Sequence, residues 1–332
     1  MRVPPYLTPL TALTFNTFLP PPFSSTPVPC MPKTWGVRTC VIFNPTARGE
    51  KAQRFRDHLD AIGSECTLKQ TTCVGDAQRL AAEAVGEGFE LVVAAGGDGT
   101  LNEVLNGLGD APDGFARACL GLLPLGTVNV FARELALPTR LEEAWAIIRR
   151  AKEMRIDLPL VEYRAQGAAQ HRYFAQMAGA GLDARAIELV QWKLKKKIGP
   201  LAYVVAGLQA IAGAQSVITA TGGGSSATGE LVLIGNGRLY GGHYHIHPEA
   251  DLRDGLLEAC VFPKVSWLTL ARCGPSLLLR RKLPASAITT FRAETIALTS
   301  PTRTALEADG ELVGELPATF TLRRTALRVI VP

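Results

Sequence analysis

The chain has 332 residues, 47% of them hydrophobic, so it is long enough to bury two cores and its composition excludes a largely disordered protein. The formal net charge of +5 is small and dispersed, which argues against nucleic acid as a partner. The seven cysteines occur singly and form no C-x-x-C pair, which favours reduced thiols and a cytoplasmic protein.

Residues 1–35 are predicted to be a disordered N-terminal extension, because their prolines interrupt any helical or alternating pattern. A signal peptide is the alternative, but its basic region would be Arg2 alone, and Pro9 and Asn16 break its apolar stretch. Met31 is an alternative start of translation. The apolar window 201–214 is shorter than the roughly 20 residues that a membrane-spanning helix needs.

Residues 36–155 alternate short apolar runs with amphipathic segments, which predicts a doubly wound α/β nucleotide-binding domain. Residues 156–332 are dominated by short strands with Gly and Pro turns. This pattern predicts a β-rich, sandwich-like substrate domain, whose last strand could return to the first domain. The active site is expected in the cleft between the two domains. The stretch "GGGSSATG" at 222–229 is predicted to be a flexible loop.

The segment "VVAAGGDGTLNEVLNGL" at 92–108 begins as an apolar strand and resumes as a helix after three glycines. Glycines let the backbone turn sharply and approach a ligand, and the start of the following helix attracts anions, so the turn suits phosphate. Asp98 would repel a bare phosphate, which suggests a bridging metal ion or water. The alternative is a purely structural turn in which Asp98 and Thr100 cap the helix.

Two further strand ends carry glycines, hydroxyls or amides: "NPTARGEK" at 44–51 and "PLGTVNVFARELALP" at 124–138. The carboxyl ends of parallel strands meet at one edge of a sheet, so the three segments are expected to converge. Together with "GGDGTLNEVLNGL" they resemble the catalytic domain that diacylglycerol kinases, sphingosine kinases and their bacterial lipid-kinase relatives share. The resemblance runs from about Val37 to the C-terminus and rests on the order of the motifs.

The resemblance implies an ATP- and Mg²⁺-dependent lipid kinase that transfers the γ-phosphate of ATP to a hydroxyl of diacylglycerol or a related lipid alcohol. It also implies that Asp98 holds the catalytic Mg²⁺, directly or through water. The implied ATP-binding residues lie at the strand ends and the turns that follow them: Asn44, Pro45, Thr46, Ala47, Arg48, Thr71, Gly96, Gly97, Asp98, Gly99, Thr100, Leu101, Asn102, Glu103, Gly126, Thr127 and Asn129.

Two further motifs belong to the resemblance. The stretch "EADGELV" is similar to the family's DGE motif, which implies Glu311 as the proton acceptor, with Asp309 as the rival base. The stretch "GGHYHIHPEADLRDGLLEACVF" is similar to a segment that binds a structural Mg²⁺ in bacterial members, which implies the metal ligands Asp251, Asp254 and Leu256. Many relatives carry Asp where this chain has Val130, so no role of that carboxylate is carried over.

Some patterns leave alternatives open. The residues His243, His245 and His247 alternate, which allows a zinc site, although the resemblance makes them part of a strand before the Mg²⁺ loop. The basic stretches "WKLKKKIGP" at 192–200 and "LLLRRK" at 277–282 predict peripheral contact with an anionic membrane, and a solvated helix face is the alternative. An exposed edge strand could pair two copies into a homodimer.

Three other functions compete with the lipid kinase. An NAD kinase shares the GGDG turn but is not expected to carry "PLGTVNVFAR" and a terminal "DGE" in this order. A non-catalytic lipid- or nucleotide-binding regulator is disfavoured because both Asp98 and Glu311 are retained. A dinucleotide dehydrogenase would need G-x-G-x-x-G after the first strand, where "FNPTARG" stands instead.

Overall fold

The protein is described from a computed structural model, which covers residues 36–45, 50–189, 215–279 and 282–332. These residues all belong to one compact unit. The N-terminal extension, the lysine-rich stretch 192–200 and Arg280 and Arg281 lie outside the described residues, so the predictions that rest on them stay predictions.

The first half of the chain alternates strands and helices. Its strands are β1 (Thr39–Phe43), β2 (Thr67–Gln70), β3 (Leu91–Gly96) and β4 (Cys119–Pro124). Its helices are α1 (Glu50–Asp57), α2 (Leu59–Gly63), α3 (Asp76–Gly86), α4 (Asp98–Asp110), α5 (Gly114–Arg117), α6 (Val130–Glu134) and α7 (Leu141–Arg150).

The four strands of this half form a parallel sheet in the order β2-β1-β3-β4. Every residue of β3 and β4 is buried, since helices cover both faces of the sheet and leave no solvated side. The helices supply apolar stripes such as Leu101, Val104 and Leu105 of α4 to the same core. The predicted doubly wound α/β fold is therefore confirmed.

The second half is rich in strands. These are β5 (Glu153–Ala165), β6 (Ala168–Tyr173), β7 (Met177–Gly181), β8 (Ile218–Gly222), β9 (Ser225–Gly229), β10 (Leu231–Gly235), β11 (Leu239–Tyr240), β12 (Tyr244–His245), β13 (Leu257–Phe262), β14 (Thr289–Ala293), β15 (Thr295–Thr299), β16 (Ala305–Ala308) and β17 (Glu311–Ile330). Two described helices accompany them, α8 (Leu182–Leu189) and α9 (Trp267–Leu278).

These strands form two layers that pack as a sandwich. One layer runs β14-β13-β10-β7-β16, and the other contains β9, β8, β15, β17, β5 and β6. Alternate residues of each layer, such as Val232 and Ile234 of β10 and Ile296 and Leu298 of β15, meet in one apolar core. The opposite face of the first layer packs with Cys273 of α9, so β10 and β13 are buried on both sides.

The last strand, β17, joins the two halves of the molecule. Its beginning pairs with β16, its middle pairs with β15 and β5, and Val329 near its end pairs in parallel with Leu120 of β4. Leu327, Val329 and Ile330 are buried in the core of the first half. The domain boundary predicted at 155/156 falls inside β5, which runs alongside β17, and that boundary stays a prediction.

Two local predictions differ from the structure. The predicted loop at 222–229 is wrong, because Ser225–Gly229 is strand β9, joined to β8 by Gly223 and Gly224, whose positive φ angles make a tight hairpin turn. The stretch "HYHIHPEA" is strand only over Tyr244–His245. The stretch "HRYFAQMAGAG" at 171–181 is divided between β6 and β7, and between them the backbone amides bind a carboxylate instead of a neighbouring strand.

Candidate active site

The glycine turn joins β3 to α4. Gly97 is extended, with φ −96° and ψ −168°, and α4 begins at Asp98. A side chain would not fit on Gly96 of this turn or on Gly126 of the turn after β4, since an ideal Cβ on Gly96 would lie 2.3 Å from Thr100 Oγ1 and one on Gly126 would lie 2.5 Å from Gly97 Cα. The second distance shows that the turns after β3 and β4 lie against each other, and residues of both turns, among them Gly97 and Asn129, line one small cavity.

Asn129 holds the turn after β4. Its side-chain Oδ1 accepts a hydrogen bond from the Gly126 amide at 3.1 Å, and its Nδ2 donates to the carbonyls of Gly126 at 2.7 Å and Pro124 at 3.3 Å. The residue is buried and has φ +53°, a conformation that Asn tolerates better than most residues. Thr127 and Val128 of the same turn are exposed.

Asp98 lies between the two turns. Its Oδ1 accepts a hydrogen bond from the Val130 amide at 2.8 Å, so it caps α6 across the cavity. Burial raises the pKa of Asp98, and the backbone amides of Val130, Asn129 and Phe131 oppose that rise. The structure thus places a carboxylate at the carboxyl ends of β3 and β4, beside the amides that could take phosphate.

Helix α4 also faces the second half of the chain. Asn102 and Asn106, on the helix face next to the apolar stripe, are buried. Asn106 binds the backbone of Tyr173 in both directions, since its Nδ2 donates to the carbonyl at 3.0 Å and its Oδ1 accepts from the amide at 2.9 Å. Asn102 donates to Asp309 Oδ2 at 3.3 Å and accepts from Arg172 Nε at 2.9 Å. These polar contacts hold the end of β6 and the segment after it next to α4, the helix that follows the glycine turn.

Asp309 accepts hydrogen bonds from three consecutive backbone amides. They belong to Ala175 at 2.7 Å, Gln176 at 3.0 Å and Met177 at 3.1 Å, in the segment between β6 and β7. Burial raises the pKa of Asp309, and these amides oppose the rise. With its own φ at +49°, Asp309 is a turn residue whose carboxylate oxygens already have donors, which favours a structural role over that of a base.

Glu311, two residues further on, is more accessible. Its side chain is 40% exposed, and its Oε2 accepts a hydrogen bond from Arg172 Nη2 at 2.7 Å. Its Oε1 lies 3.2 Å from the position that a Cβ on Gly99 would take. Burial raises the pKa of Glu311, Arg172 opposes this, and the charges of Glu103 and Asp309 add to it. The structure therefore brings Glu311 against Gly99 of the glycine turn, from which it is separated by 212 positions in the chain.

The remaining predicted ATP-binding residues are placed as follows. Asn44 and Pro45 follow β1 at the same sheet edge, whereas Thr46, Ala47 and Arg48 lie outside the described residues. Thr71 is buried, and its amide donates to the Phe43 carbonyl at 2.9 Å. Glu103 accepts hydrogen bonds from the amides of Gly75 at 2.9 Å and Ala77 at 3.0 Å, so it ties α4 to the start of α3.

The sequence patterns did not single out Arg172, Asn106 or Glu134. Glu134 at the end of α6 accepts hydrogen bonds from Gln176 Nε2 and the Leu239 amide, each at 3.0 Å, so α6 as well as α4 is tied to the second half. No motif surrounds Arg172 in the sequence. In the structure it is a basic residue of β6, a strand in which most side chains are exposed.

The predicted structural Mg²⁺ loop has its own arrangement. Asp254 accepts the Leu256 amide on Oδ1 at 2.9 Å and pairs through Oδ2 with the guanidinium of Arg292, while Asp251 accepts the Arg253 amide at 3.0 Å. A carboxylate and backbone carbonyls are hard oxygen ligands that suit Mg²⁺, so the donor chemistry fits. A cation bound there would share the Asp254 carboxylate with Arg292 or displace it.

No cluster of three or more His, Cys, Asp or Glu side chains suited to a metal ion is found among the described residues. The three histidines of the alternative zinc site differ in exposure: His243 is exposed, whereas His247 is fully buried, and this burial lowers the pKa of His247 to about 3.

Within the described ranges, every helix is too short or too polar to cross a bilayer.

Family models match most of the chain. The model of the diacylglycerol kinase catalytic domain matches residues 38–161, and that of the YegS C-terminal NAD kinase beta sandwich-like domain matches residues 176–331. A solved Bacillus anthracis structure, described as a diacylglycerol kinase, superposes with a TM-score of 0.72 over 90% of this chain and 98% of that one. At 23% identity that likeness concerns the fold alone.

Two curated relatives are more similar in sequence. The diacylglycerol kinase of Staphylococcus saprophyticus is 31% identical over 305 residues, which cover 89% of this chain and 95% of the relative. That of Bacillus subtilis is 30% identical over 307 residues, which cover 89% and 96%. The motifs, the two-layer second half and this similarity over nearly the whole length agree, and the chain belongs to the family of bacterial lipid kinases with a diacylglycerol kinase catalytic domain.

Proposed function

We propose that this lipid kinase uses ATP and Mg²⁺ to phosphorylate the free hydroxyl of diacylglycerol or of a closely related lipid alcohol. The observation that carries the proposal is the meeting of Glu311 with the glycine turn, because a proton acceptor and a phosphate-binding turn at one point are the two parts that phosphoryl transfer requires. Diacylglycerol is chosen because the curated relatives bear that name.

The chain's own residues suit nucleotide binding at the carboxyl edge of the parallel sheet. The amides of the glycine turn and the start of α4 would hold phosphate oxygens, since the first N–H groups of a helix lack partners within it and residues of this turn line the cavity. Asp98 offers one carboxylate there, and Mg²⁺ in kinases is commonly held by one or two carboxylates together with phosphate oxygens and water. When bound, the ion neutralises charge on the transferring phosphate.

Glu311 would accept the proton of the lipid hydroxyl as that oxygen attacks the γ-phosphorus. Arg172 would hold the Glu311 carboxylate in place through the 2.7 Å hydrogen bond, while Asn102 orients Arg172. Asp309 would keep the segment between β6 and β7 folded against the site through its three amide contacts. The roles thus divide between one accessible carboxylate and the groups that position it.

The substrate lies in a membrane, so we propose that the enzyme works in the cytoplasm as a peripheral membrane protein. The basic stretch at 277–282 supports the proposal, because positive charges close to apolar residues are attracted to anionic lipid.

A homodimer is a separate proposal. The edge strand β14 would allow it, since β14 pairs only with β13 among the described strands.

The test is transfer of labelled γ-phosphate from ATP to diacylglycerol in detergent mixed micelles with Mg²⁺. We expect wild type to form a labelled lipid and Glu311→Gln to lose about a hundredfold or more of kcat with little change in the KM for ATP, as for a missing general base. Asp98→Asn should lose activity and raise the Mg²⁺ requirement. The exposed Asp113 serves as the matched control, and Asp113→Asn should behave as wild type.

Two outcomes would contradict the proposal. If wild type labels NAD rather than any lipid, the enzyme is a nucleotide kinase with a related fold. If wild type binds ATP yet labels nothing, the protein is a regulator whose chemistry has been lost. Apolar pockets discriminate weakly between such lipids, so the acceptor must be identified by comparison. A panel with a sphingoid base and phosphatidylglycerol beside diacylglycerol makes that comparison.

A further inference from the structure

Helix α9 has an exposed side that is largely apolar. Leu268, Ala271, Arg272 and Pro275 are exposed, and so is Leu279 directly after the helix. Their spacing of three, four, seven and eleven residues from Leu268 places them on one face, since successive residues of a helix are rotated by roughly 100°. Trp267 stands beside this face, and Trp267, Leu268 and Leu279 are 60%, 59% and 62% exposed. We call these residues the α9 face.

The opposite side of the same helix is anchored. Cys273 is buried in the cluster that covers the first layer of the sandwich, together with Leu231, Cys260 and Met177. The Met177 amide is one of the three that hold Asp309. The α9 face is therefore the outer side of a fixed helix, and its anchoring cluster reaches the strand next to the active site.

The charges around the α9 face have one sign. Residues 263–282 contain five basic residues and no acidic residue. Lys264 and Arg272 are exposed and form no ion pair with another described residue, whereas Lys282 pairs with Glu249. An exposed apolar stripe with a tryptophan and unpaired basic groups is the pattern of a helix that lies in the surface of an anionic bilayer.

Exposed apolar side chains continue from this helix toward the nucleotide turn. Helix α9 contacts β12, whose Tyr244 is 39% exposed. In the hairpin between β11 and β12, a Cβ on Gly242 would lie 3.1 Å from Val128 Cγ1, and Val128 is the exposed residue of the turn after β4. The contact of α9 with β12 and that of the β11–β12 hairpin with Val128 place exposed apolar side chains at successive points between the α9 face and the turn after β4.

From this arrangement we infer that the α9 face, with Tyr244 and Val128, docks the enzyme on an anionic lipid bilayer and so presents the cleft to its membrane-borne substrate. This inference rests on the proposed lipid phosphorylation. A second copy of the chain is a poorer occupant, because a two-fold contact through the α9 face would set Lys264 and Arg272 against the same positive charges of the partner.

The test is co-sedimentation of the full chain with vesicles of phosphatidylcholine and phosphatidylglycerol in equal parts, compared with vesicles of phosphatidylcholine alone. We expect wild type to prefer the anionic vesicles. Trp267→Ser with Leu268→Ser, and separately Lys264→Gln with Arg272→Gln, should each weaken vesicle binding about tenfold or more. Val217→Ser and Arg150→Gln are the matched controls at exposed positions elsewhere, and both should bind as wild type.

Activity on diacylglycerol in uncharged detergent micelles separates docking from chemistry. Both double variants should keep the wild-type rate in micelles and lose rate on anionic vesicles. The charge variant alters only exposed groups, so it tests the surface even if the apolar variant folds poorly. If wild type phosphorylates no lipid in micelles, the proposed function fails, while vesicle binding lost in the double variants still supports the docking surface.

Two results would overturn the inference. One is unchanged binding of both double variants to anionic vesicles. The other is a change of oligomeric state in the apolar double variant, seen by size-exclusion chromatography with vesicle binding intact, which would make the α9 face a contact between copies of the chain.

Discussion

Arg172 is the positively charged side chain that pairs with Glu311 and lowers the pKa of its carboxyl group. Glu311 is faced by Arg172 from β6, by Glu103 from α4 and by Asp309 from the preceding turn, and burial raises its pKa while Arg172 opposes the rise. A base must be ionised to accept a proton, so the active form exists above the pKa of Glu311. With Glu311 as the proposed base, we expect Arg172 to extend activity toward lower pH.

Removing that positive charge has an expected direction. In Arg172→Gln the pKa of Glu311 should rise further, so the acidic limb of the pH dependence of kcat/KM should move to higher pH. Arg172→Lys should restore much of the pH profile, because it keeps the charge and loses only the guanidinium geometry. A fall in rate with an unchanged pH profile in both variants would leave Arg172 a purely structural role.

The neighbouring carboxylate Asp309 should affect stability more than proton transfer. Asp309→Asn weakens charge-assisted hydrogen bonds to the amides of Ala175, Gln176 and Met177, and we expect a loss of about 1.5–3 kcal/mol of unfolding free energy. Asp113→Asn is matched, since Asp113 also has a positive φ and is exposed. Denaturant unfolding measures both, and equal stability of the two variants would contradict the structural role.

Among the elements, the contact between the two glycine-containing turns should be the least tolerant of added bulk. In Gly126→Ala the new methyl group would meet Gly97 Cα at 2.5 Å, so one turn must shift. We expect ATP affinity to fall about tenfold or more and the Tm to drop. In Gly86→Ala, at the end of α3, the methyl group meets nothing within 4 Å, and stability should stay constant or rise by about 0.4–1 kcal/mol.

Calorimetry and thermal unfolding measure these two glycine variants. Unchanged ATP affinity in Gly126→Ala would mean that the turns can separate without harm to the phosphate site.

The loop around Asp254 is the second element with a testable ligand. If it takes Mg²⁺, the ion should raise the Tm of wild type in the absence of ATP and leave the Tm of Asp254→Asn unchanged. At a concentration a hundred times its Kd, the ion would add about 2.7 kcal/mol to the unfolding free energy of wild type. Asp113→Asn again controls for the lost charge. A wild-type Tm indifferent to Mg²⁺ and to chelator would mean that Arg292 alone balances the Asp254 carboxylate.

At the scale of the whole molecule, β17 makes the two halves depend on each other. Deletion of residues 326–332 removes the buried Leu327, Val329 and Ile330 from the core of the first half. At about 1.5–3 kcal/mol for each buried side chain the loss approaches the total stability of an ordinary domain, so we expect insoluble or unfolded protein. Deletion of the exposed Pro332 alone is the control. A truncated chain with the wild-type Tm would show that the halves fold independently.

Much of the fold follows from local patterns in the sequence. The alternating strands and helices of residues 36–155 were predictable, because the period of apolar residues is a property of neighbouring positions. The β-rich second half was equally clear, but β9 was missed because "SSATG" contains small and polar residues rather than the usual β-branched and aromatic ones. Its pairing with β8 supplies the stabilisation that its side chains do not.

The glycine turn, with Asp98 and the turn after β4, could be located from the sequence alone, because glycines between an apolar strand and an amphipathic helix predict a sharp turn at the strand end. The tertiary structure alone decided the partners of these residues. Arg172 meets Asn102 across 70 positions and Glu311 across 139, and such contacts depend on the order of strands in the sheets. Sequence periodicity carries no information on that order, whereas burial and backbone hydrogen bonding in the folded chain determine it.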